Sequence, residues 1–394
     1  MENNDVLFCR KAIVNRLSKV IAYYIMHPSN AIQEHDMAFL SALFVDVNLD
    51  EITQQKTLFI QSNLEEMSAL PPHPKSPVVI FISAASFTEA HLDLLSELRL
   101  QGYQLGIINP TLDSLSVTVM SNFSYAVFDL NCLHISDITT WSNTELLRHK
   151  KVWVNNIENA EQFRQLEESI PEGVFSGNFI GKVTPIKGKR ILAYKAILID
   201  LLVALNQHKS SPRELADCIE RDPTLTYRII KLTHSVLYRS QFNVTNAQRA
   251  VEIIGIRDLI KWVGVVMLGS VLGKPNCLFS MAVSRAFFCQ NLSTALFPKL
   301  EGAFLVGLFS YLPSFFDEEL PVLLKDLPLD TNIKSALLEY KGSLGGILKI
   351  VEAYEAGRWE RIPFDKLAHK GISKQSIKAL YIESLKNARG MEGI

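Results

Sequence analysis

Side chains able to hold a cation, move a proton or attack a carbonyl are thinly spread along the 394-residue chain. Its nine histidines show no HxxH, HxxxH or HExxH spacing, so no two imidazoles share a helix face to grip a metal ion. His234, beside Ser235 in a helical stretch, has the chemistry of a ligand; the commoner role of a lone histidine is packing or capping. Two carboxylates stand where short apolar runs end. Asp129 closes Ala126–Phe128, and Glu158 follows Val152–Ile157. Together they could bind one cation, but two-metal phosphodiester chemistry needs several carboxylates or amides to hold both ions. Their plainer roles are a strand-end or capping residue for Asp129 and a helix N-terminal carboxylate for Glu158. No GxSxG elbow, P-loop or GxGxxG after the first strand occurs. The five cysteines, Cys9, Cys132, Cys218, Cys277 and Cys289, never form a CxxC pair and read as reduced, mostly buried thiols.

The elements that would position these groups change character along the chain. Up to about residue 190, apolar residues come in strand-length runs: Val6–Cys9, Val20–Met26, Thr57–Ile60, Val78–Ile82, Leu105–Ile108, Tyr125–Leu130, Val152–Val154 and Val174–Phe175. Helical stretches at His35–Leu43, Thr88–Gln101, Trp141–His149 and Asn159–Glu168 alternate with them. Apolar strands that alternate with helices predict a parallel sheet covered by helices. Seven or eight such units in under 200 residues suit a (β/α) barrel, with an open doubly wound sheet as the rival. Such barrels carry chemistry at the C-terminal ends of their strands. There the chain offers mostly neutral groups: Tyr24-Ile25-Met26, Gln61-Ser62, Phe81-Ile82-Ser83 and Ile108-Asn109.

After the short basic stretch Pro185–Arg190 the period becomes helical. Ile191, Tyr194, Leu198, Leu201, Leu202 and Leu205 form one stripe; Leu215, Cys218 and Ile219, then Leu225, Ile229, Ile230 and Leu232, form two more. Asp222-Pro223 reads as an N-cap followed by proline at the first helical position. Asp258–Leu272 is apolar nearly all round and predicts a helix buried in the centre of a helical domain. The expected division is therefore residues 1–188 as a barrel and 189–394 as an all-helical domain.

Composition narrows the function classes. A hydrophobic fraction of 48% supports sizeable cores, and a net charge of -1 gives no global pull toward nucleic acid or anionic lipid. Lys182, Lys187, Lys189 and Arg190 make a local basic patch that a solvated linker explains more simply than nucleic-acid binding. No run approaches the ~18 apolar residues of a membrane span, and the first residues lack a signal-peptide pattern, so a cytoplasmic location is expected.

Taken in order, the two halves resemble an EAL domain followed by an HDOD domain, an arrangement found in bacterial cyclic-di-GMP signalling proteins. Phe8–Ile13 and Lys19–Met26 resemble the family's first hairpin and the strand carrying its Glu-Xaa-Leu signature, with Tyr24 at the glutamate position. Gln61 sits at the position of a metal-binding asparagine, and Phe81 at that of another glutamate. Ile108-Asn109 replaces a paired Asp-Asp. Val127-Phe128-Asp129 resembles the Lys-Xaa-Asp segment, with its aspartate kept; Asn156-Ile157-Glu158 keeps a later glutamate. Ser176 replaces the glutamine of a Gln-Gly turn. The second half resembles HDOD through Ile219–Leu225, His234-Ser235, Ala250–Gly255, Ala303–Ser310 and Val351–Glu355. Residues 189–394 contain no adjacent His-Asp pair of the kind that related metal phosphohydrolases use.

The resemblance implies a degenerate EAL barrel without catalytic or metal-site residues, of which Asp129 and Glu158 are the residual family positions. The expected function is a non-catalytic scaffold or regulator in motility or biofilm control. The alternatives are a non-hydrolysing cyclic-di-GMP receptor or a weak metal-dependent phosphodiesterase. No cofactor is expected, and cyclic-di-GMP binding is disfavoured because an apolar pocket offers its charges no partners. Protein partners are expected on the helical half, at a stripe of His234, Tyr238 and Arg239; a homo-oligomer is compatible with the sequence.

Overall fold

The first two strands, β1 (Cys9–Asn15) and β2 (Val20–Met26), are joined so tightly that they must run antiparallel. The Asn15 side-chain oxygen accepts from the backbone N–H groups of Leu17 and Lys19, both at 3.0 Å, and Ser18 takes a left-handed φ of 55° to close the turn. This is seen in a computed structural model that describes residues 7–26, 43–44, 48–64, 67, 70–71, 74, 76–110, 117–147, 149–181, 211–234, 238, 244–269, 271, 274–325 and 327–391. Strands β3 (Thr57–Gln61), β4 (Val78–Ser83), β5 (Gln104–Ile108), β6 (Tyr125–Asp129), β7 (Lys151–Ile157) and β8 (Val174–Gly177) follow in parallel register from β2. β1 then pairs antiparallel with β8 through Val14 and Asn15, which closes an eight-stranded barrel. The helices of this half are α1 (Leu49–Thr53), α2 (Leu92–Leu100), α3 (Val117–Met120), α4 (Ile135–Ser142) and α5 (Ala160–Ser169).

Several expected boundaries shift. The first strand begins where Val6–Cys9 was expected to end: Cys9–Val14 pair with β2, and Leu7 and Phe8 are buried ahead of it. The helix expected at Trp141–His149 lies earlier, at Ile135–Ser142, and ends at Asn143; its buried contact is Ile138, with Trp141 on the last turn. The Thr88–Gln101 segment opens with a 3-10 turn over Glu89–His91 before α2. Asn159 caps α5 as its sequence suggests, its side chain accepting from the Gln162 N–H. Residues 35–42 of the helix expected at His35–Leu43, the basic residues Lys182, Lys187, Lys189 and Arg190, and the Ile191–Leu205 stripe lie outside the described residues.

Alternate residues of each strand point into the barrel. They converge as one buried cluster: Ile13, Ala22, Phe59, Val79, Phe81, Tyr125, Val127, Trp153 and Val174, with Tyr24 and Ile108 packed against it. Ring centroids of Phe59–Phe81, Phe81–Trp153, Tyr24–Trp153 and Phe59–Tyr125 lie 4.9, 5.1, 5.2 and 5.2 Å apart. Each buried aromatic contributes roughly 1.5–3 kcal/mol by burial, with about 0.5–1.5 kcal/mol more per well-placed ring pair. Two glycines make this packing possible. A Cβ on Gly106 would stand 2.3 Å from the Phe81 ring, and one on Gly177 2.1 Å from the Ile157 carbonyl.

By contacts the chain divides into Met1–Lys182 with Ala353–Ile362, and Val183–Glu352 with Pro363–Ile394. Among its described residues the second unit holds helices and turns but no strand. Its helices begin with α6 (Pro212–Glu220), α7 (Pro223–Thr233), α8 (Ala247–Ile254), α9 (Ile256–Gly269), α10 (Asn276–Leu296) and α11 (Ala303–Phe309). Asp222 caps α7 by accepting from the Thr224 and Leu225 N–H groups, with Pro223 at the first helical position. Ser211 and Glu214 form a reciprocal capping box on α6. The apolar segment expected at Asp258–Leu272 is helical from Ile256 to Gly269 and packs its middle turns in the core; Leu272 lies outside the described residues. α11 is buried at every position.

Trp153 is the largest of the fully buried side chains in the lumen. Trp153→Ala is expected to lower the unfolding free energy by about 3–5 kcal/mol, with Trp153→Phe costing clearly less. Urea denaturation of the full chain followed by circular dichroism checks both.

Candidate functional site

The rim is reached by moving two residues along each strand from the lumen cluster, which keeps the side chain on the same face. From Phe59 this leads to Gln61, from Phe81 to Ser83, from Val127 to Asp129, from Trp153 to Asn155 and from Val174 to Ser176. The C-terminal mouth of the barrel is thus a ring of amides and hydroxyls around Asp129.

Asp129 is held by its neighbours in detail. The Asn156 amide donates to both carboxylate oxygens, at 2.9 and 3.0 Å, and the Asn131 N–H donates to Oδ1 at 2.8 Å. The Asp129 N–H itself donates to the Asn109 side-chain oxygen at 3.0 Å, while the Asn109 N–H donates to the Val127 carbonyl at 2.7 Å. Asn109 and Asn156 both adopt left-handed backbone, with φ of 48° and 60°. Asparagine tolerates this region better than most residues, and here it aims the amide across the strand ends. At Asn156 the β7–β8 ladder also shifts register, which lifts the strand end and turns its side chain toward β6.

A second chain of bonds runs into the lumen. The Trp153 indole N–H donates to Ser176 Oγ at 2.9 Å, and that hydroxyl donates to Asn155 Oδ1 at 2.8 Å. The polar edge of the buried indole and the fully buried Ser176 are thereby satisfied together. Glu158 accepts from the Asn178 amide at 3.0 Å, and its N–H donates to Gln162 Oε1 at 2.8 Å at the start of α5. Tyr24 places its ring among the lumen aromatics and its hydroxyl at the rim, where it donates to Gln61 Oε1 at 3.4 Å. Burial of the ring pushes the phenol up to about 12, with Cys9 and then the Asp129 carboxylate adding to the rise. Tyr24 is therefore a neutral phenol at physiological pH. Among the described residues no three His, Cys, Asp or Glu side chains come together as a metal-holding group.

The structure therefore places Asp129 and Glu158 in separate hydrogen-bonded settings, each bound to asparagine amides. What sequence reading missed is the asparagine set itself: Asn109, Asn155, Asn156 and Asn178 organise the rim. Their signal was present, since asparagines follow three strand ends and amides tolerate left-handed backbone. The adjacent His35-Asp36 pair was also passed over; it belongs to the first half and lies outside the described residues.

On the helical unit, the expected stripe of His234, Tyr238 and Arg239 is not a helical one. α7 ends at Thr233, and His234 is its C-cap. His234 Nδ1 meets the Ile230 carbonyl at 3.1 Å, the geometry of a ring N–H donating to a helix-end acceptor. Tyr238 lies in a turn, where its hydroxyl accepts from the Trp262 indole N–H. Burial pushes this phenol up to about 12, opposed by the Trp262 bond and reinforced by Asp258. Its ring packs edge-on to Trp262 at 6.1 Å, and Trp262 in turn contacts Phe287 and Phe304. Tyr238 serves packing, and Arg239 lies outside the described residues.

Comparison with known proteins follows this geometry. Residues 192–315 match the HDOD domain family. In chain order a closed eight-stranded barrel precedes this HDOD-matching region, the order that the EAL-HDOD resemblance implies. The chain is 22% identical to the uncharacterized protein YuxH of Bacillus subtilis over 96% of its own length and 97% of that protein's. It is 25% identical to the cyclic di-GMP phosphodiesterase CdgJ of Vibrio cholerae, over 54% of this chain and half of that protein's length. A solved structure of the PaMucR phosphodiesterase in complex with c-di-GMP covers 45% of this chain, with 96% of its own length matched, at 12% identity and a TM-score of 0.38. No described helix is long and apolar enough to cross a membrane.

Asn156→Ala is expected to leave the Asp129 carboxylate short of two charge-assisted bonds and to cost about 1–3 kcal/mol of stability. Asp129→Asn, which keeps an acceptor, is expected to cost less. Thermal denaturation of both variants, with and without millimolar magnesium, checks the ranking; magnesium is expected to shift none of the melting curves.

Proposed function

We propose that this chain is a non-catalytic regulator in a cyclic-di-GMP-related signalling pathway, acting through protein–protein contacts of its HDOD-bearing half. The observation that carries the reading is the state of the barrel mouth. At the positions where the EAL resemblance implies metal-binding side chains, the chain has Tyr24, Gln61, Phe81, Ile108, Asn109 and Val127. Tyr24, Phe81, Ile108 and Val127 pack in or against the lumen cluster. Of the two acids retained at strand ends, Asp129 accepts from the Asn156 amide through both oxygens and Glu158 accepts from the Asn178 amide.

This donor set does not fit a pair of divalent cations. Two ions a few ångströms apart need several anionic ligands to offset their charge and hold a water poised for deprotonation. A phenol held near 12 and a set of amides supply little of that charge. A dianionic dinucleotide settling on the same mouth would shed its water at a cost of several kcal/mol per uncompensated charge. The family match over 192–315 and the similarity to CdgJ support a cyclic-di-GMP context. HDOD domains resemble metal-dependent phosphohydrolases in fold, and residues 189–394 carry no adjacent His-Asp pair.

The test is a turnover assay of the purified full chain on cyclic di-GMP with magnesium and with manganese. No product above a buffer control is expected. Metal-dependent hydrolysis that disappears in Asp129→Ala would sink the reading in favour of a weak phosphodiesterase. Calorimetric binding of the intact dinucleotide without turnover would instead favour a receptor.

A further inference from the structure

The end of the barrel opposite the rim carries the two most exposed large apolar side chains among the described residues. Leu17, in the β1–β2 turn, is 78% exposed, and Leu100, the last residue of α2 before β5, is 84% exposed. In ring order β5 lies four strands from β1, so the two leucines stand on opposite sides of one end. A single exposed leucine is ordinary. Here cations gather beside Leu100. Arg99 comes from the last turn of α2, Lys150 from the turn before β7, and Lys151 from the first position of β7. Arg99 Nη1 donates to the Asn122 side-chain oxygen at 3.3 Å, and Lys151 Nζ stands 5.6 Å from the Tyr125 ring centroid. Burial, and after it the Arg99 guanidinium, pushes the Lys150 pKa down. No described carboxylate forms an ion pair with any of the three. An arginine closing a helix complements the helix dipole, but the two lysines are brought beside it by the pairing of β7 with β6. The acids of this end lie mostly on the other side, where Glu167, Glu168 and Glu172 surround the end of α5 and the approach to β8. Glu145 is the exposed acid of the stretch that leads to Lys150.

We propose that this end of the barrel is a peripheral docking face for an anionic phospholipid surface. Arg99, Lys150 and Lys151 meet headgroup phosphates, and Leu100 and Leu17 enter the acyl boundary beneath them. Charge complementarity favours the anion, because phosphate oxygens between Arg99 and Lys150 offset a like-charge contact that the protein leaves uncompensated. The placement of the leucines favours a plane over a protein groove. Set on opposite sides of the barrel end, they form no continuous apolar strip for a partner helix, whereas a flat interface receives both together. This face is built by the barrel's strand-entry turns, so it owes nothing to the state of the rim.

The experiment sediments the full chain with vesicles of phosphatidylcholine, alone or mixed with phosphatidylglycerol. Anionic vesicles are expected to carry the chain down and neutral ones to leave it in solution, with binding that weakens as salt is raised. Lys150→Glu combined with Lys151→Glu is expected to lower the affinity about tenfold or more. Leu17→Ser combined with Leu100→Ser is expected to lower it severalfold at unchanged charge. Lys325→Glu, an exposed charge change in the helical unit, is expected to leave binding within about twofold. Unchanged circular dichroism and melting show that each variant folds. Lys150 is half-buried, so if its double variant does not fold, Lys151→Glu alone is read, with a loss of severalfold expected. No binding to anionic vesicles, equal binding to neutral ones, or unaltered binding by either paired variant overturns the proposal. Displacement from the vesicles by soluble polyglutamate or inorganic phosphate at matched ionic strength also overturns it, in favour of an acidic protein segment or a free phosphate.

Discussion

A closed barrel of short strands must fill its own interior, and here that requirement is met by rings. Phe59, Phe81, Tyr125 and Trp153 come from four strands and meet in the lumen, with Tyr24 closing over them. The rings are too large for every facing position to carry a side chain, so Gly106 leaves the space that the Phe81 ring occupies. Gly177, at a φ of 152°, brings β8 against the β7 backbone at a distance that a Cβ would forbid. The floor beneath the rim is therefore dry, dense and hard to deform. Whatever the rim residues do, they do it on that floor.

The floor sets the chemistry of the rim. Above the aromatic core, the Asp129 carboxylate accepts from the Asn156 amide and the Asn131 N–H. Charge-assisted bonds of this kind are roughly twice as strong as neutral ones. The left-handed backbone at Asn109 and Asn156 is the cost of that arrangement. Each amide is presented from a strand end where an extended backbone would aim it elsewhere. The Asn156 amide thus ties Asp129 at the end of β6 to β7.

Much of this was legible in the chain. Short apolar runs alternating with helical stretches gave a helix-covered parallel sheet, because strands buried on both faces show no polar alternation; that the sheet closes as a barrel rather than staying open is decided by the β1–β8 pairing. Asp222-Pro223 and Asn159 marked helix starts through chemistry local to a few residues. The boundaries that moved were those where tertiary packing decides: β1 starts where β2 can pair with it, and α4 ends at Asn143 although apolar residues continue to Leu147. The rim amides were not legible as a set, since Asn109, Asn155, Asn156 and Asn178 are brought together by barrel closure and not by spacing. His234, Tyr238 and Arg239 were aligned on the premise of an unbroken helix, which Thr233 ends.

That last difference changes which residues of the helical unit can face a partner. The Tyr238 hydroxyl accepts from the Trp262 indole N–H, and Trp262 sits in an aromatic group with Phe287 and Phe304. Withdrawing Tyr238 toward a partner would strand the indole N–H of a side chain that is only 6% exposed, a cost of about 1–3 kcal/mol. Sequence alone cannot separate a tyrosine that anchors a turn from one that meets solvent, because both lie within a dozen residues of each other here. Burial separates them. Tyr238 completes the core that holds α9 in place, and Tyr227, one helix earlier, is left on the outside of a helix whose inner face that same core fixes.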